Sequence, residues 1–156
     1  MEFKPAFAPS SFFRKLTQVL MMAVAGFGIL APRYDVQAAA APAYPAKITA
    51  SPSAPIKLAP GEKTTVAVTY QNTGTTAWSK DSKTYVSMYT YEPKYRDSIF
   101  ATPAWISRDQ VMRLPSATVK KSASVTFKIP VIAPVKPGTY TEVFQLAAED
   151  TAWIKN

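Results

Sequence analysis

The segment Lys63–Asn72, KTTVAVTYQN, constrains the fold most, because apolar and polar side chains alternate along it. Val66, Val68 and Tyr70 point to one side of an extended chain. The residues that point to the other side are Thr65, Ala67 and Thr69. This period of two predicts a β-strand with one buried face. The pattern breaks at Asn-Thr-Gly and continues to Trp78, which indicates a turn after the strand.

Further strand patterns follow at regular spacing. Thr84–Glu92 is rich in aromatic and β-branched residues, and it is predicted to form the second of these strands. Two later runs alternate, with these residues sharing a face: Val125, Phe127 and Ile129 in one, and Tyr140, Glu142, Phe144 and Leu146 in the other. Pro-Gly pairs mark turns, and no helical period appears after residue 39. We predict an all-β sandwich, with the irregular segment between Glu92 and Leu114 covering one of its ends.

The first 38 residues have the order of an export signal. Lys4, Arg14 and Lys15 precede the apolar run Leu16–Leu30, and small residues then lead to Ala38. The apolar run has about 15 residues, whereas a spanning helix needs roughly 20. We therefore predict a signal peptide over 1–38 cleaved after Ala38, with an uncleaved hydrophobic helical anchor as the alternative. The protein is expected outside the cytoplasm, whether extracellular, periplasmic or at the cell surface.

Composition excludes several kinds of chemistry. The chain has no histidine and no cysteine, so it has no Ser-His-Asp triad, no cysteine nucleophile, no disulfide and no Cys/His zinc site. The predicted mature part from Ala39 has 14 basic and 8 acidic residues, and 14 − 8 gives +6. These charges are scattered, which is typical of a solvated surface, and a polyanionic envelope partner is the alternative. We expect no nucleic-acid partner and no cofactor.

The predicted domain order places a Pro/Ala/Ser-rich tether at 39–57 and the sandwich at 58–156. The tether is assigned on composition, although KITA and IKLAPGE within this region could also form short first strands.

Three linked signals resemble a known family. VTYQNTGTTAWSKD joins a strand, a turn and Trp78, while PAWI supplies Trp105 and PGTYTEVFQLAAEDTAWI leads to Trp153. Together they resemble the FW (four-tryptophan) immunoglobulin-like domain of the selective-autophagy cargo receptors, in the form found in bacterial exported proteins. The resemblance covers about Leu58 to Asn156. It implies an immunoglobulin-like antiparallel β-sandwich that binds proteins and has no catalytic activity.

Two departures from the family pattern matter. Tyr70 and Phe144 stand at two of the four tryptophan positions, and Trp78 and Trp153 are the retained pair. A sandwich of this type continues through a last strand after Trp153, where only a few residues follow. Either that strand is very short or the gene continues. An open edge could also be completed by a strand from a partner.

The candidate partner-binding residues are aromatic and basic. Trp105 lies in the irregular segment and is expected at the surface. The others form a tyrosine row with nearby charge, namely Tyr85, Tyr89, Tyr91, Tyr95, Arg96 and Arg108. Tyrosines of this kind suit protein recognition or sugar stacking, and cross-strand pairing on a sheet face is the plainer interpretation.

Glu142, Glu149 and Asp150 offer little for calcium or for glycoside hydrolysis, and Glu149-Asp150 fits a turn. We therefore predict no catalytic and no metal site. The predicted function is an exported, non-catalytic interaction or scaffold module of the bacterial cell envelope. The alternative is a carbohydrate- or cell-wall-binding module.

Overall fold

The structure is a computed structural model that describes Glu2–Ala6 and residues 44–155. The apolar centre and the cleavage point of the predicted signal peptide lie outside these residues. The described residues contain no helix long and apolar enough to cross a membrane. They form the following strands: β1 Glu2–Ala6, β2 Ala46–Ala50, β3 Ile56–Lys57, β4 Lys63–Asn72, β5 Trp78–Ser79, β6 Val86–Thr90, β7 Gln110–Arg113, β8 Thr118–Val119, β9 Ser124–Ile132, β10 Thr139–Ala148 and β11 Ala152–Trp153.

The strands form two main sheets and a short ribbon. One sheet has the order β2-β4-β9, and both of its pairs are antiparallel. The other has the order β3-β1-β10-β6-β7, with β11 also paired to β10. Its pairs are antiparallel except for β1, which runs parallel to β10. The ribbon pairs β5 with β8. The prediction of an all-β sandwich is confirmed.

Alternation along the strands sets which side chains meet in the core. On β4, Val66, Val68 and Tyr70 are buried, as the sequence predicted. The register then places Phe127 of β9 opposite Val68, and Phe127 packs edge-on against Tyr70 with ring centroids 5.8 Å apart. Phe144 of β10 lies in the same buried cluster. Burial of these aromatic and branched side chains is the main stabilising contribution.

The Asn-Thr-Gly turn after β4 is organised by a buried amide. The Asn72 side chain donates to the carbonyls of Thr76 and Val119 at 2.9 and 3.0 Å. Its oxygen accepts a hydrogen bond from the Gly74 N–H at 3.0 Å. These bonds join the turn to β8 and direct the chain so that Trp78 enters the core with no exposed surface.

Two predicted boundaries need correction. The expected tether at 39–57 is already folded from Ala46, because β2 pairs with β4 over Asn72–Thr69. The domain therefore begins before Leu58, and Ala/Pro/Ser composition misled the prediction because it does not report pairing. The segment expected to lack a period between Glu92 and Leu114 also contains a strand, β7, which pairs with β6.

The remaining part of that segment, Glu92–Asp109, is fixed to the sandwich. Phe100 is 1 % exposed and its carbonyl accepts from the Ile132 N–H of β9 at 3.1 Å. Thr90 donates through its hydroxyl to the Arg96 carbonyl at 2.7 Å. The buried carboxylate of Glu142 binds the Arg96 guanidinium and accepts from the Ser98 hydroxyl at 2.5 Å. A buried charge satisfied in this way holds the loop to β10.

Candidate functional site

Four aromatic rings meet on the face of the β6–β10 sheet that points away from the core. Tyr91 lies 4.9 Å from Trp153 between ring centroids, Tyr95 lies 5.2 Å from it, and Tyr89 lies 6.0 Å from it. Tyr89 and Tyr95 are themselves 5.3 Å apart. We call Tyr89, Tyr91, Tyr95 and Trp153 the aromatic cluster. Three of its members come from the predicted tyrosine row, and the fourth is the second retained tryptophan.

The cluster has a buried base and an exposed top. Tyr89 is 5 % exposed, and its hydroxyl donates to Glu149 Oε2 at 2.6 Å. Tyr91 and Trp153 are half-buried, while Tyr95 is 53 % exposed. Beside it, Tyr95 and the segment Ala147–Trp153 line a cleft of about 250 Å³. The arrangement offers a partner one exposed ring, Tyr95, which rests on Tyr89 and Trp153.

The rings meet at steep angles. Their planes are inclined by 60° for Tyr91 on Trp153, 51° for Tyr95 on Trp153 and 84° for Tyr89 on Tyr95. Edge-to-face contact is a favourable geometry for an aromatic pair. It also means that the cluster does not present the coplanar surface that stacks a flat ligand.

Charged groups surround the cluster. The Lys94 ammonium lies 5.3 Å from the Trp153 ring centroid and 5.8 Å from that of Tyr91, within the range of a cation–π interaction. Burial, followed by the nearby carboxylates of Glu149, Asp150 and Asp109, raises the pKa of Tyr95. Burial and the hydrogen bond to Glu149 raise the pKa of Tyr89. Both phenols are therefore neutral hydrogen-bonding groups at physiological pH.

Tyr95 has an unfavourable backbone conformation. Its φ is 58°, in the left-handed region that bulky residues rarely occupy. Its N–H donates to the Thr90 carbonyl at 3.3 Å, and its ring rests on Tyr89 and Trp153. A bulky side chain in a strained and exposed position makes Tyr95 the first candidate for a contact residue of the cluster.

The other predicted contact residues lie outside the cluster. Tyr85 is half-buried and stacks on the Arg113 guanidinium, 3.9 Å from its ring centroid. Arg96 is paired with buried Glu142, so it secures the loop and is not a free surface charge. Arg108 is exposed and pairs with Asp97 at 3.1 Å. The structure thus joins Tyr89, Tyr91 and Tyr95 and separates them from Tyr85 and Arg108.

The expectation that Trp105 lies at the surface is wrong. Trp105 is 6 % exposed, and its ring packs edge-on against Phe144 at 5.8 Å. Its indole N–H donates to the Pro130 carbonyl at 2.6 Å. Pro130 lies on β9, the edge strand of its sheet, where a proline is tolerated. Trp105 therefore closes the core beneath the irregular loop, and the neighbouring exposed apolar residue is Ile106.

The family-motif aromatics divide in the same way. Tyr70, Trp78 and Phe144 are at most 1 % exposed and belong to the core. Trp153 lies on β11, at the surface. Its partner Ala147 is a residue of β10 that faces away from the core, which places the indole over the tyrosines. Sequence reasoning placed the tyrosines on one face but did not bring Trp153 to them, because the pairing of β11 was not visible in the sequence.

Carboxylates do not form a further site. Glu142 is fully engaged with Arg96, Ser98 and the Val143 N–H. Glu149 accepts from Tyr89, and Asp150 follows in a turn with φ 53°. Within residues 44–155, no group of three or more His, Cys, Asp or Glu side chains could hold a metal ion.

Comparison with protein families decides the identity of the fold. Residues 53–153 match the family model described as the Ig-like domain from next to BRCA1 gene. The chain belongs to this Ig-like family. Comparison with curated proteins and with solved structures finds no match. The predicted membership of this family of Ig-like domains is therefore confirmed.

Membership also indicates a general function. Ig-like domains of this family mediate protein–protein interaction and are typically non-catalytic. The aromatic cluster lies within the matched range, so it is part of the family domain and not of an appended segment.

Proposed function

We propose that the chain is an exported interaction module of a bacterial cell envelope that binds protein partners through the aromatic cluster. The observation that carries the proposal is the exposed Tyr95 ring, held in a strained conformation on Trp153 and Tyr89. Tyrosine and tryptophan contribute large contact areas with little loss of side-chain entropy, and they dominate protein interfaces. Export is supported by the charged start, the apolar run Leu16–Leu30 and the small residues before Ala38.

A protein partner is favoured over a wall glycan by the ring geometry. A glycan chain stacks along several aromatic faces that lie in one plane, whereas the rings of the cluster are inclined to one another by 51° to 84°. An uneven surface with an adjoining cleft of about 250 Å³ suits side chains of a polypeptide. Lys94 beside Trp153, together with Glu149 and Asp150 in the cleft, supplies polar contacts at the rim.

The test compares two exposed residues of the same loop. Tyr95→Asn removes the ring and suits the left-handed backbone, because asparagine tolerates positive φ. Ile99→Ser is the matched control, since Ile99 is 51 % exposed but lies outside the cluster. Both variants are expected to keep the free energy of unfolding within about 1 kcal/mol of the original chain, as surface changes usually do.

The measurement is photocrosslinking in the source organism from a reactive amino acid at Lys94, in the original chain and in both variants. The original chain is expected to give a discrete protein adduct. Tyr95→Asn is expected to abolish this adduct, and Ile99→Ser is expected to retain it. N-terminal sequencing of the exported product is expected to start at Ala39. Equal adducts from both variants would show that the cluster is not the binding surface. Salt-insensitive retention on wall glycans, lost in Tyr95→Asn, would instead establish the carbohydrate-binding alternative.

A further inference from the structure

The edge of β10 that faces away from β6 is covered in two parts. β11 pairs with Ala147 and Ala148, and the Ile154 N–H donates to the Leu146 carbonyl at 2.9 Å. The chain then leaves β10, because the Lys155 carbonyl accepts from the Ala46 N–H at 2.7 Å. The other part of this edge, Thr139–Val143, is covered by β1, a five-residue strand near the N-terminus.

β1 also joins the edge of β10 to another strand. It is antiparallel to β3, with Glu2 opposite Lys57 and Phe3 opposite Ile56. In the described part of the chain, β3 has no other strand partner. β1 therefore fills a slot between β3 and β10, which offers backbone groups from both sides. A slot of this kind provides more hydrogen bonds to an incoming strand than a simple sheet edge does.

The register identifies the backbone groups that line the slot. The Val143 carbonyl accepts from the Tyr91 N–H at 2.8 Å, so Val143 faces the β6 side, while the Leu146 carbonyl faces β11. Since neighbouring residues of a strand point their backbone groups to opposite sides, those of Tyr140 and Glu142 face the slot. Lys4 lies opposite Thr141, between them.

The same alternation of backbone groups shows to which neighbouring strand Pro5 of β1 directs its backbone. In a parallel pair, Lys4 directs its N–H and its carbonyl to β10, and Pro5 directs its own groups to the β3 side. Pro5 lies beyond the two residues that β3 pairs with. Its missing N–H therefore removes no bond to β10, and the sequence of β1 is compatible with the slot.

We infer that the slot between β3 and β10 is a strand-acceptor site for an extended segment of a partner polypeptide. The chain's own Glu2–Ala6 fills it while the predicted signal peptide is attached. This segment lies outside the family match at 53–153 and within the sequence expected to be removed on export. Its removal leaves the backbone groups of Tyr140, Glu142 and β3 without a strand, which favours strand addition.

The slot sets the chemistry of the partner segment. It must be extended over about five residues, run parallel to β10 and carry an N–H at the place of Lys4, whereas proline is accepted at the next place. This site is separate from the aromatic cluster. The removal of β1 by cleavage, which would empty the slot, rests on the export that we propose above.

The test weakens β1 in the full chain and offers a replacement strand. Lys4→Pro removes the N–H that faces β10, and Lys4→Ala is the control that keeps it. The probe is a fluorescein-labelled peptide with the sequence of residues 1–10, MEFKPAFAPS, measured by fluorescence anisotropy. The Lys4→Pro chain is expected to bind it at least tenfold more tightly than the original chain and Lys4→Ala, where the attached strand competes. A peptide carrying the same proline is expected not to bind.

Hydrogen exchange provides an independent measurement on the unaltered chain. The Tyr140 and Glu142 amides are expected to exchange slowly, to exchange at least tenfold faster in Lys4→Pro and to be protected again by the peptide. Fast exchange of both amides in the original chain would overturn the inference even if Lys4→Pro does not fold. A folded Lys4→Pro chain that gains no peptide binding would also overturn it. Tyr95→Asn should leave peptide binding unchanged, so failure of the aromatic proposal is detected separately.

Discussion

Replacing Trp105 with alanine separates a structural role from a binding role. Trp105 is 6 % exposed, packs on Phe144 and donates to the Pro130 carbonyl. The change removes roughly 200 Å² of buried aromatic surface. At about 25 cal/mol per Å², this is about 5 kcal/mol, close to the ~3–5 kcal/mol found when large aromatics in cores become alanine. We expect a loss of about 4 kcal/mol in the free energy of unfolding, much of the roughly 5–15 kcal/mol that a domain possesses.

The assay is urea unfolding followed by far-UV circular dichroism, with thermal unfolding alongside. A loss of this size lowers the melting temperature by roughly 15–30 °C in a domain of about 100 residues. Ile106→Ala is the matched control, because Ile106 is the next residue and is 54 % exposed, so its change should cost under about 0.5 kcal/mol. If Trp105→Ala stays within about 1 kcal/mol of the original chain, Trp105 is not a core residue and our account of the loop fails.

Two further changes probe buried polar groups. Tyr70→Phe should leave stability unchanged or raise it by about 1 kcal/mol, because the buried hydroxyl has no hydrogen-bond partner among the described residues. Burial raises the pKa of Tyr70, so above about pH 10 the phenol ionises in the unfolded chain before it does in the folded one, and stability falls as the pH rises. The Tyr70→Phe variant lacks this contribution, so a urea midpoint that falls as steeply as the original's above that pH would contradict this. Asn72→Ala should cost about 3 kcal/mol by leaving Gly74, Thr76 and Val119 groups unpaired, and a urea midpoint close to the original's would refute the role of the turn.

The strands were predictable because their signal is local. A period of two places Val66, Val68 and Tyr70 on one side whatever lies opposite, and burial of that face follows from the hydrophobic effect. Phe144 and Leu146 on β10 follow the same rule. Turn chemistry is also local, since the Asn-Thr-Gly turn depends on hydrogen bonds that the Asn72 side chain makes over a few residues.

The site was only partly predictable because it depends on pairing between distant segments. Tyr89, Tyr91 and Tyr95 are close in sequence, but Trp153 joins Tyr89 across 64 positions through the pairing of β11 with β10. Trp105 could not be assigned from its own neighbourhood, because an irregular loop has no period to show which side chain enters the core. Glu2–Ala6 was predicted as part of the charged start of a signal peptide, because Lys4, Arg14 and Lys15 precede the apolar run Leu16–Leu30, and nothing local indicates its pairing with β10.

The irregular loop explains how a small sandwich can hold Tyr95, the contact residue that we propose, in one position. Phe100 and Trp105 anchor its middle in the core, and the Arg96–Glu142 pair anchors its start on β10. Tyr95 immediately precedes the second anchor and rests on Trp153, so its ring is fixed before a partner arrives. A partner that binds a fixed ring does not lose free energy in ordering it. If Tyr95 binds a partner as we propose, the buried charge and the strained backbone are the cost of preorganising it, and loosening Arg96 should weaken binding even though Arg96 is paired with Glu142.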